Sequence, residues 1–190
     1  MSNTSQVAVG RMLRKGIKVL AFDFDETILT IHTGGYWCEG GDRLAKHVRP
    51  SMIKLIAEAQ ECGLHVCVVT FSSQDSLIRE VLEQTLPRKC KTSKILIRGT
   101  SYPPTWPRVE GVPSIGKLQH IASVVAELSN TLKTSIEPEE VLLLDDDERN
   151  VITAREFGHK AYIVSKGFTL ETFCEFLNQI DQCSFPTKNV

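Results

Sequence analysis

The feature that most constrains the fold is a short apolar run, 19–22, that ends at two aspartates, Asp23 and Asp25. A continuous run of aliphatic and aromatic residues is typical of a strand in a parallel sheet, where both faces are buried. Because side chains alternate along an extended chain, Asp23 and Asp25 should point the same way, with Phe24 directed into the core. Two carboxylates this close repel each other unless a cation or a shared proton lies between them. A bare Asp-x-Asp is also typical of a solvated turn, so its interpretation depends on the later segments.

Further apolar runs alternate with segments of helical character. We predict strands over 64–69, 94–97 (short and near a sheet edge), 141–144 and 160–164. Helices are predicted over 50–61, 74–84, from 114 or 115 to 128, 150–157 and 169–180. Strands that alternate with helices indicate an α/β fold, here a doubly wound parallel sheet. Ligands of such sheets bind at the carboxyl ends of the strands.

Polar residues follow the later strands or lie near the next helix. Thr70, Phe71 and Ser72 follow the second strand, and both hydroxyls could bind an anion or simply cap the next helix. Lys117 is predicted in the first turn of a helix, where the macrodipole disfavours a cation, which hints at a nearby anion or carboxylate. The acidic run that starts at Asp145 and Asp146 follows the fourth strand. A helix cap needs one carboxylate, so this crowding favours a bound divalent cation such as Mg²⁺.

The two ends and the segment after the first strand are predicted to be less regular. Residues 1–16 are interpreted as a loose lead-in with a short helical turn near 11–15, 17–182 as a single domain, and 183–190 as a tail. Residues 30–42 contain two glycine pairs and should form a flexible flap above the aspartates. Trp37 in this flap either lines a substrate entrance or packs back on the edge of the domain.

Composition excludes several classes of protein. The 190 residues are 42% hydrophobic and 24% charged, which is ordinary for one globular domain. A formal net charge of −1 gives no electrostatic footprint for nucleic acid or an anionic membrane, and no apolar run is long enough to span a bilayer. Six scattered cysteines without a Cys-x-x-Cys pair fit reduced thiols, and residues 1–16, which are polar and basic, predict no secretory signal. We therefore expect a cytoplasmic protein that binds neither nucleic acid nor membrane.

The order of these strand-end motifs resembles the haloacid dehalogenase (HAD) superfamily of phosphohydrolases. The segment 145–173 is most similar to the magnesium-dependent phosphatase-1 group of that superfamily. The resemblance covers 17–180 and implies a Rossmann-like core. It also implies site residues, which are Asp23 as nucleophile, Asp25 as general acid/base, Thr70, Phe71, Ser72 and Lys117 as phosphate contacts, Asp23, Asp25, Asp145 and Asp146 as Mg²⁺ ligands, and Thr27 and Asn150 as supporting residues.

The implied activity is Mg²⁺-dependent hydrolysis of a phosphomonoester through an aspartyl-phosphate intermediate. No segment before residue 70, or between residue 97 and Lys117, is long enough for a lid domain, so the site should be open. An open site suits a phosphoprotein or a bulky sugar- or amine-linked phosphate.

Two alternatives belong to other classes. A receiver-type signalling module has similar residues, but there the acidic pair precedes the phosphorylated aspartate in sequence, the reverse of this order. A catalytically inert binding protein on the same fold is the second alternative. Magnesium-dependent turnover of an aryl phosphate would separate all three.

Overall fold

The apolar runs pair into one parallel sheet in the computed structural model, which describes residues 3–101 and 105–180. The strands are β1 (Val19–Phe22), β2 (His65–Val69), β3 (Leu96–Arg98), β4 (Val141–Asp145) and β5 (Lys160–Ile163). Their order across the sheet is β3-β2-β1-β4-β5. This arrangement confirms the predicted fold class, and β3 lies at an edge as predicted.

Helices cover both faces of the sheet, so alternate residues of each strand are buried on opposite sides. The helices are α1 (Thr4–Arg14), α2 (Gly41–Ala45), α3 (Pro50–Glu61), α4 (Asp75–Thr85), α5 (Leu118–Leu132), α6 (Glu148–Glu156) and α7 (Leu170–Gln179). Leu20 and Phe22 of β1 pack into one cluster with residues of α1, α3, α4 and α7. Val19 and Ala21 pack into a second cluster, with residues of α5 and α6. The pattern is that of a doubly wound sheet.

The N-terminal segment departs from the prediction of a loose lead-in, which is wrong over residues 4–14. Asn3 and Gln6 form a capping box at the start of α1. Ala8, Val9 and Met12 are fully buried in the larger cluster. The helix forms because these small and apolar residues recur on one face, which packs against α3 and α7.

Helix α5 begins later than predicted, at Leu118. Gly116 has a φ of +48°, and a side chain there would approach Oδ1 of Asn150 at 3.2 Å. The chain therefore turns sharply before the helix, at a position that favours glycine. Lys117 becomes the N-cap residue rather than a first-turn residue.

The loops at the carboxyl ends of the strands differ in length, and the longest follow β1 and β3. Residues 99–101 and 105–117 contain no helix or strand, and part of the predicted loop, residues 102–104, lies outside the described ranges, as does the predicted tail. Within 3–101 and 105–180, no helix is long and apolar enough to cross a membrane.

Candidate active site

One cavity of about 320 Å³ lies at the carboxyl edge of the sheet. Phe22 pairs with Leu144 of β4 and with Val68 of β2, so the residues that follow all three strands meet there. Nine of the ten predicted site residues line this cavity, and these are Asp23, Asp25, Thr70, Phe71, Ser72, Lys117, Asp145, Asp146 and Asn150. The tenth, Thr27, is fully buried and donates a hydrogen bond to Oδ1 of Asp146 at 3.2 Å.

A buried ion pair lies at the centre of the cavity. Nζ of Lys117 donates to Oδ1 of Asp23 at 2.7 Å, and both side chains are at least nine-tenths buried. Burial raises the pKa of Asp23, while the charge of Lys117 opposes that increase and the charge of Asp146 adds to it. The position of Lys117 at a helix start predicted a nearby anion or carboxylate, and in the structure that carboxylate is Asp23.

Aromatic rings flank this lysine. Nζ of Lys117 lies 3.8 Å from the centre of the Phe71 ring, a cation–π arrangement. His120 packs edge-on against Phe71 and lies 4.9 Å from the ring of Trp106. Neither ring nitrogen of His120 has a hydrogen-bond partner among the described residues. Burial, followed by the nearby charges of Lys117 and Arg108, lowers the pKa of His120 to about 4, so its imidazole is neutral at pH 7.

The acidic run after β4 divides into distinct environments. Asp145 is almost fully buried, and its carboxylate accepts hydrogen bonds from Nδ2 of Asn150 and from the backbone N–H of Asp147. Asp146 accepts from the hydroxyl of Thr27. Asp147 instead caps α6 by accepting from the backbone N–H of Arg149. Asp147 therefore caps the helix while it lines the cavity, whereas Asp145 and Asp146 line the cavity without capping the helix.

The charges of the cavity are unbalanced, which is relevant to a metal ion. Burial, and then the charge of Asp23, raises the pKa of Asp145 to about 7, and burial also raises the pKa of Asp146. Three acids with raised pKa values, Asp23, Asp145 and Asp146, line the cavity. Among the described residues, Lys117 is the one lysine or arginine that lines it with them. These carboxylates form the all-oxygen donor set that Mg²⁺ prefers. The donor set therefore fits Mg²⁺.

Side chains alone do not complete a metal site. Within the two described ranges, no three His, Cys, Asp or Glu side chains are grouped so as to hold an ion. A metal bound here would need a backbone carbonyl or water in addition to carboxylates.

Asp25 lies in the irregular turn that follows β1. Its Oδ2 accepts hydrogen bonds from the hydroxyl and the backbone N–H of Thr33 at 2.8 and 3.2 Å. Its Oδ1 is buried and has no hydrogen-bond partner in the described part of the chain. Nδ1 of His32 lies 3.7 Å from Oδ2. The flap thus holds one oxygen of Asp25 and leaves the other unpaired at the cavity.

The segment after β2 is held by its own side chains. Thr70 accepts from the backbone N–H of Ser72, and Ser72 accepts from that of Gln74. Helix α4 begins one residue later, at Asp75. The two hydroxyls therefore order the loop rather than cap the helix directly, and both residues line the cavity.

The flap is anchored to this loop. The side-chain amide of Gln74 accepts from the backbone N–H of Trp37 at 2.6 Å and donates to its carbonyl at 3.0 Å. The indole of Trp37 packs against the larger core cluster and near His47. Of the two alternatives for Trp37, the structure favours packing against the domain.

Sequence reasoning missed two residues at the site, both of them in the flap. His32 and Gly35 line the cavity from there. The glycine pairs indicated the position of the flap, but no pattern indicated which flap side chain would reach the cavity.

Comparisons with known proteins identify the fold. No model of a known protein family and no curated protein matches the chain. The N-terminal part of BF1531 from Bacteroides fragilis, which contains a phosphatase domain and is complexed with Mg, is 15% identical with a TM-score of 0.52. That match covers 92% of this chain and 42% of the other, so this chain spans less than half of that protein's length.

Two further solved structures are similar. A protein of Mesorhizobium loti (mll2559), assigned as a HAD-like phosphatase, is 17% identical over 87% of both chains, with a TM-score of 0.50. The HAD domain of the effector Lem4 from Legionella pneumophila is 14% identical over 87% of this chain and 95% of that one, with a TM-score of 0.50. The chain therefore shares its fold with HAD phosphatases.

Proposed function

We propose that the chain is a Mg²⁺-dependent phosphomonoester hydrolase that acts through an aspartyl-phosphate on Asp23. The observation that carries the proposal is the buried pair of Asp23 and Lys117 in a cavity that also holds Asp25, Asp145 and Asp146. The hydrogen bond from Lys117 at 2.7 Å orients the Asp23 carboxylate, and the ammonium favours the ionised form that a nucleophile needs. The order of the motifs further supports membership of the HAD superfamily and a place near the magnesium-dependent phosphatase-1 group.

The proposed chemistry divides between two carboxylates. Asp23 attacks phosphorus, the bond from phosphorus to the leaving oxygen breaks, and Asp25 donates a proton to that oxygen. Asp25 then removes a proton from the water that hydrolyses the aspartyl-phosphate. Lys117 and the hydroxyls of Thr70 and Ser72 stabilise the phosphoryl oxygens, which is the main task in phosphoryl transfer.

Asp23, Asp146 and the backbone carbonyl of Asp25 would hold Mg²⁺, with Asp145 as a direct or water-mediated partner. When bound, the ion supplies positive charge that neutralises the phosphate and keeps the carboxylates ionised. The charges that line the cavity support this assignment, because five aspartates lie there and Lys117 is the one lysine or arginine beside them among the described residues.

The substrate class follows from how the cavity is enclosed. The described residues after β1 and β3 form a flap and a loop rather than a covering domain, and Phe71, at the cavity, is about half exposed. An open site of this kind suits a phosphorylated protein side chain or a bulky sugar- or amine-linked phosphate.

The test is turnover of nitrophenyl phosphate by the wild type and by Asp23→Asn, with Mg²⁺ and after exhaustive chelation. We expect activity with Mg²⁺ alone, and none in the folded variant. Wild-type turnover by Asp23→Asn, activity that survives chelation, or restoration by zinc only would contradict the proposal. A panel of phosphopeptides and phosphorylated sugars then distinguishes the two substrate classes.

A further inference from the structure

One buried arginine has no part in the chemistry proposed above. Arg49 immediately precedes α3 and is 7% exposed. Its guanidinium donates to three backbone carbonyls, from Nε to Leu29 at 3.2 Å, from Nη1 to Lys166 at 3.2 Å and from Nη2 to Glu26 at 3.0 Å. These carbonyls belong to the segments that follow β1 and β5, so one side chain joins two loops at the catalytic edge of the sheet.

The carbonyl of Glu26 belongs to a strained turn. Glu26 has a φ of +50°, a left-handed conformation that residues other than glycine rarely adopt. Such a conformation persists when the surrounding contacts determine it. Arg49 contacts this turn three times, because its guanidinium donates to the carbonyls of Glu26 and Leu29 and its backbone N–H donates to the carbonyl of Ile28 at 2.9 Å.

Asp25 directly precedes the strained residue. Its carbonyl oxygen belongs to the peptide that leads into Glu26, so the dihedral angles of Glu26 and Asp25 fix where that oxygen and the Asp25 carboxylate point. Two backbone hydrogen bonds close the turn, from Glu26 to Ile31 and from Leu29 to Phe24, both at 2.9 Å. The guanidinium adds the only side-chain contact to the Glu26 carbonyl among the hydrogen bonds of the described residues.

The chemistry of arginine suits this task. A guanidinium is a rigid planar fork that donates in several fixed directions, whereas a lysine ammonium is a point charge on a flexible stem. Burying a charge without a carboxylate partner costs free energy, so a buried arginine is less favourable here than an apolar side chain that would merely fill the space. Three carbonyls from two loops compensate the charge through their dipoles.

We propose that Arg49 is a positioning residue that holds the turn at Glu26 and thereby orients Asp25 for proton transfer. The catalytic part of this inference rests on the proposed function. Displacement of a reacting group by about 1 Å can cost about 10²-fold in rate, so loss of the three-way contact should reduce kcat by about that factor.

The experiment compares Arg49→Lys and Arg49→Gln with a matched control, Arg79→Lys. Arg79 is partly buried and, like Arg49, donates to backbone carbonyls, which are those of Thr92 and Ile95 beside the edge strand β3. Arg49→Gln keeps an amide donor without leaving a buried charge, so it serves if the lysine variant does not fold. The readouts are kcat and KM for an alkyl and an aryl phosphate, and amide hydrogen exchange at Glu26 and Leu29.

We expect both Arg49 variants to exchange at Glu26 and Leu29 at least about 10-fold faster than the wild type, with the rest of the sheet unchanged. Their kcat should fall about 10²-fold for the alkyl phosphate and less for the aryl phosphate, with KM within about threefold. Arg79→Lys should change neither readout.

Unchanged exchange at Glu26 and Leu29, or losses in kcat no larger than those of Arg79→Lys, would overturn the inference. Equal losses for both substrates would also overturn it, because Asp25 would not be the group displaced. A wild-type protein that hydrolyses neither phosphate would instead refute the proposed function and the catalytic part of this inference, and the exchange rates would still decide whether Arg49 holds the turn.

Discussion

Asp145→Asn should stabilise the metal-free protein while it impairs activity. Burial and the charge of Asp23 raise the pKa of Asp145 from 3.8 to about 7. Above pH 7 this carboxyl is ionised in both states, and its charge is unfavourable in the folded protein but not in the unfolded chain. A change of this size corresponds to about 4 kcal/mol of folding free energy at pH 8.

Part of that gain is offset by lost hydrogen bonding. Oδ1 of Asp145 accepts from Asn150 and from the backbone of Asp147, and an amide oxygen can accept both. Oδ2 accepts from Nδ2 of Asn150 at 3.2 Å, and an amide nitrogen cannot. Subtracting about 1 kcal/mol for this contact leaves about 3 kcal/mol, or an increase in Tm of about 10 °C for a chain of this size.

The assay is thermal and urea unfolding in chelator at pH 5 and pH 8. The folded pKa is raised, so the stability that Asp145 contributes is full below pH 3.8 and is lost as the pH rises through about 7. The advantage of the variant should therefore shrink at pH 5 to about a quarter of its value at pH 8, or below about 1 kcal/mol. Mg²⁺ at a hundred times its Kd should add about 2.7 kcal/mol to the wild type and reduce that advantage further.

The matched control is Asp147→Asn, in the same acidic run. Its side chain caps α6, and the hydrogen bond from Arg149 lowers its pKa, so its loss should not stabilise the protein. A fall in Tm for Asp145→Asn at pH 8, an advantage independent of pH, or an equal gain for Asp147→Asn would refute this reasoning.

Three further predictions concern other parts of the site. Asp25→Asn should slow hydrolysis of an alkyl phosphate by about 10²–10⁴-fold and the phosphorylation step of nitrophenyl phosphate by much less; equal slowing in single-turnover kinetics would exclude Asp25 as the acid. His120→Phe should raise the free energy of unfolding at pH 7 by about 1–3 kcal/mol, because it removes two unpaired ring nitrogens. The wild type should lose about 3 kcal/mol of stability between pH 6.5 and pH 4 as His120 is protonated, and the variant should not show this loss. Urea titrations in which the variant shows the same loss would contradict the prediction. Gln74→Ala should speed amide exchange at Trp37 about 30-fold, the effect of two hydrogen bonds of about 1 kcal/mol each, and an unchanged rate would mean that other contacts hold the flap.

The sheet could be predicted from sequence because its strands are buried on both faces. Such strands appear as continuous apolar runs, and the residues that follow them must meet at one edge of a parallel sheet. This is why Asp23, Thr70 and Asp145 could be expected to lie together before any contact was known. The physical constraint is strong because it depends on strand direction alone.

Features that depend on tertiary contacts could not be predicted in this way. Helix α1 was missed because its polar sequence hides the three small and apolar residues that the core buries. The start of α5 was misplaced because the left-handed turn at Gly116 is set by its approach to Asn150. No sequence pattern indicates the role of Arg49, because its three carbonyl partners are distant from it in sequence.

The most direct test of the central claim is to trap the aspartyl-phosphate. Asp25→Asn, incubated with Mg²⁺ and nitrophenyl phosphate, should accumulate the phosphorylated enzyme because the attacking water has lost its base. Borohydride reduction after acid quenching converts an acyl phosphate to an alcohol, and peptide mass spectrometry locates it. The proposed function predicts reduction at Asp23 alone. Reduction at Asp145 or Asp146, or phosphate release with no reducible aspartate, would contradict it.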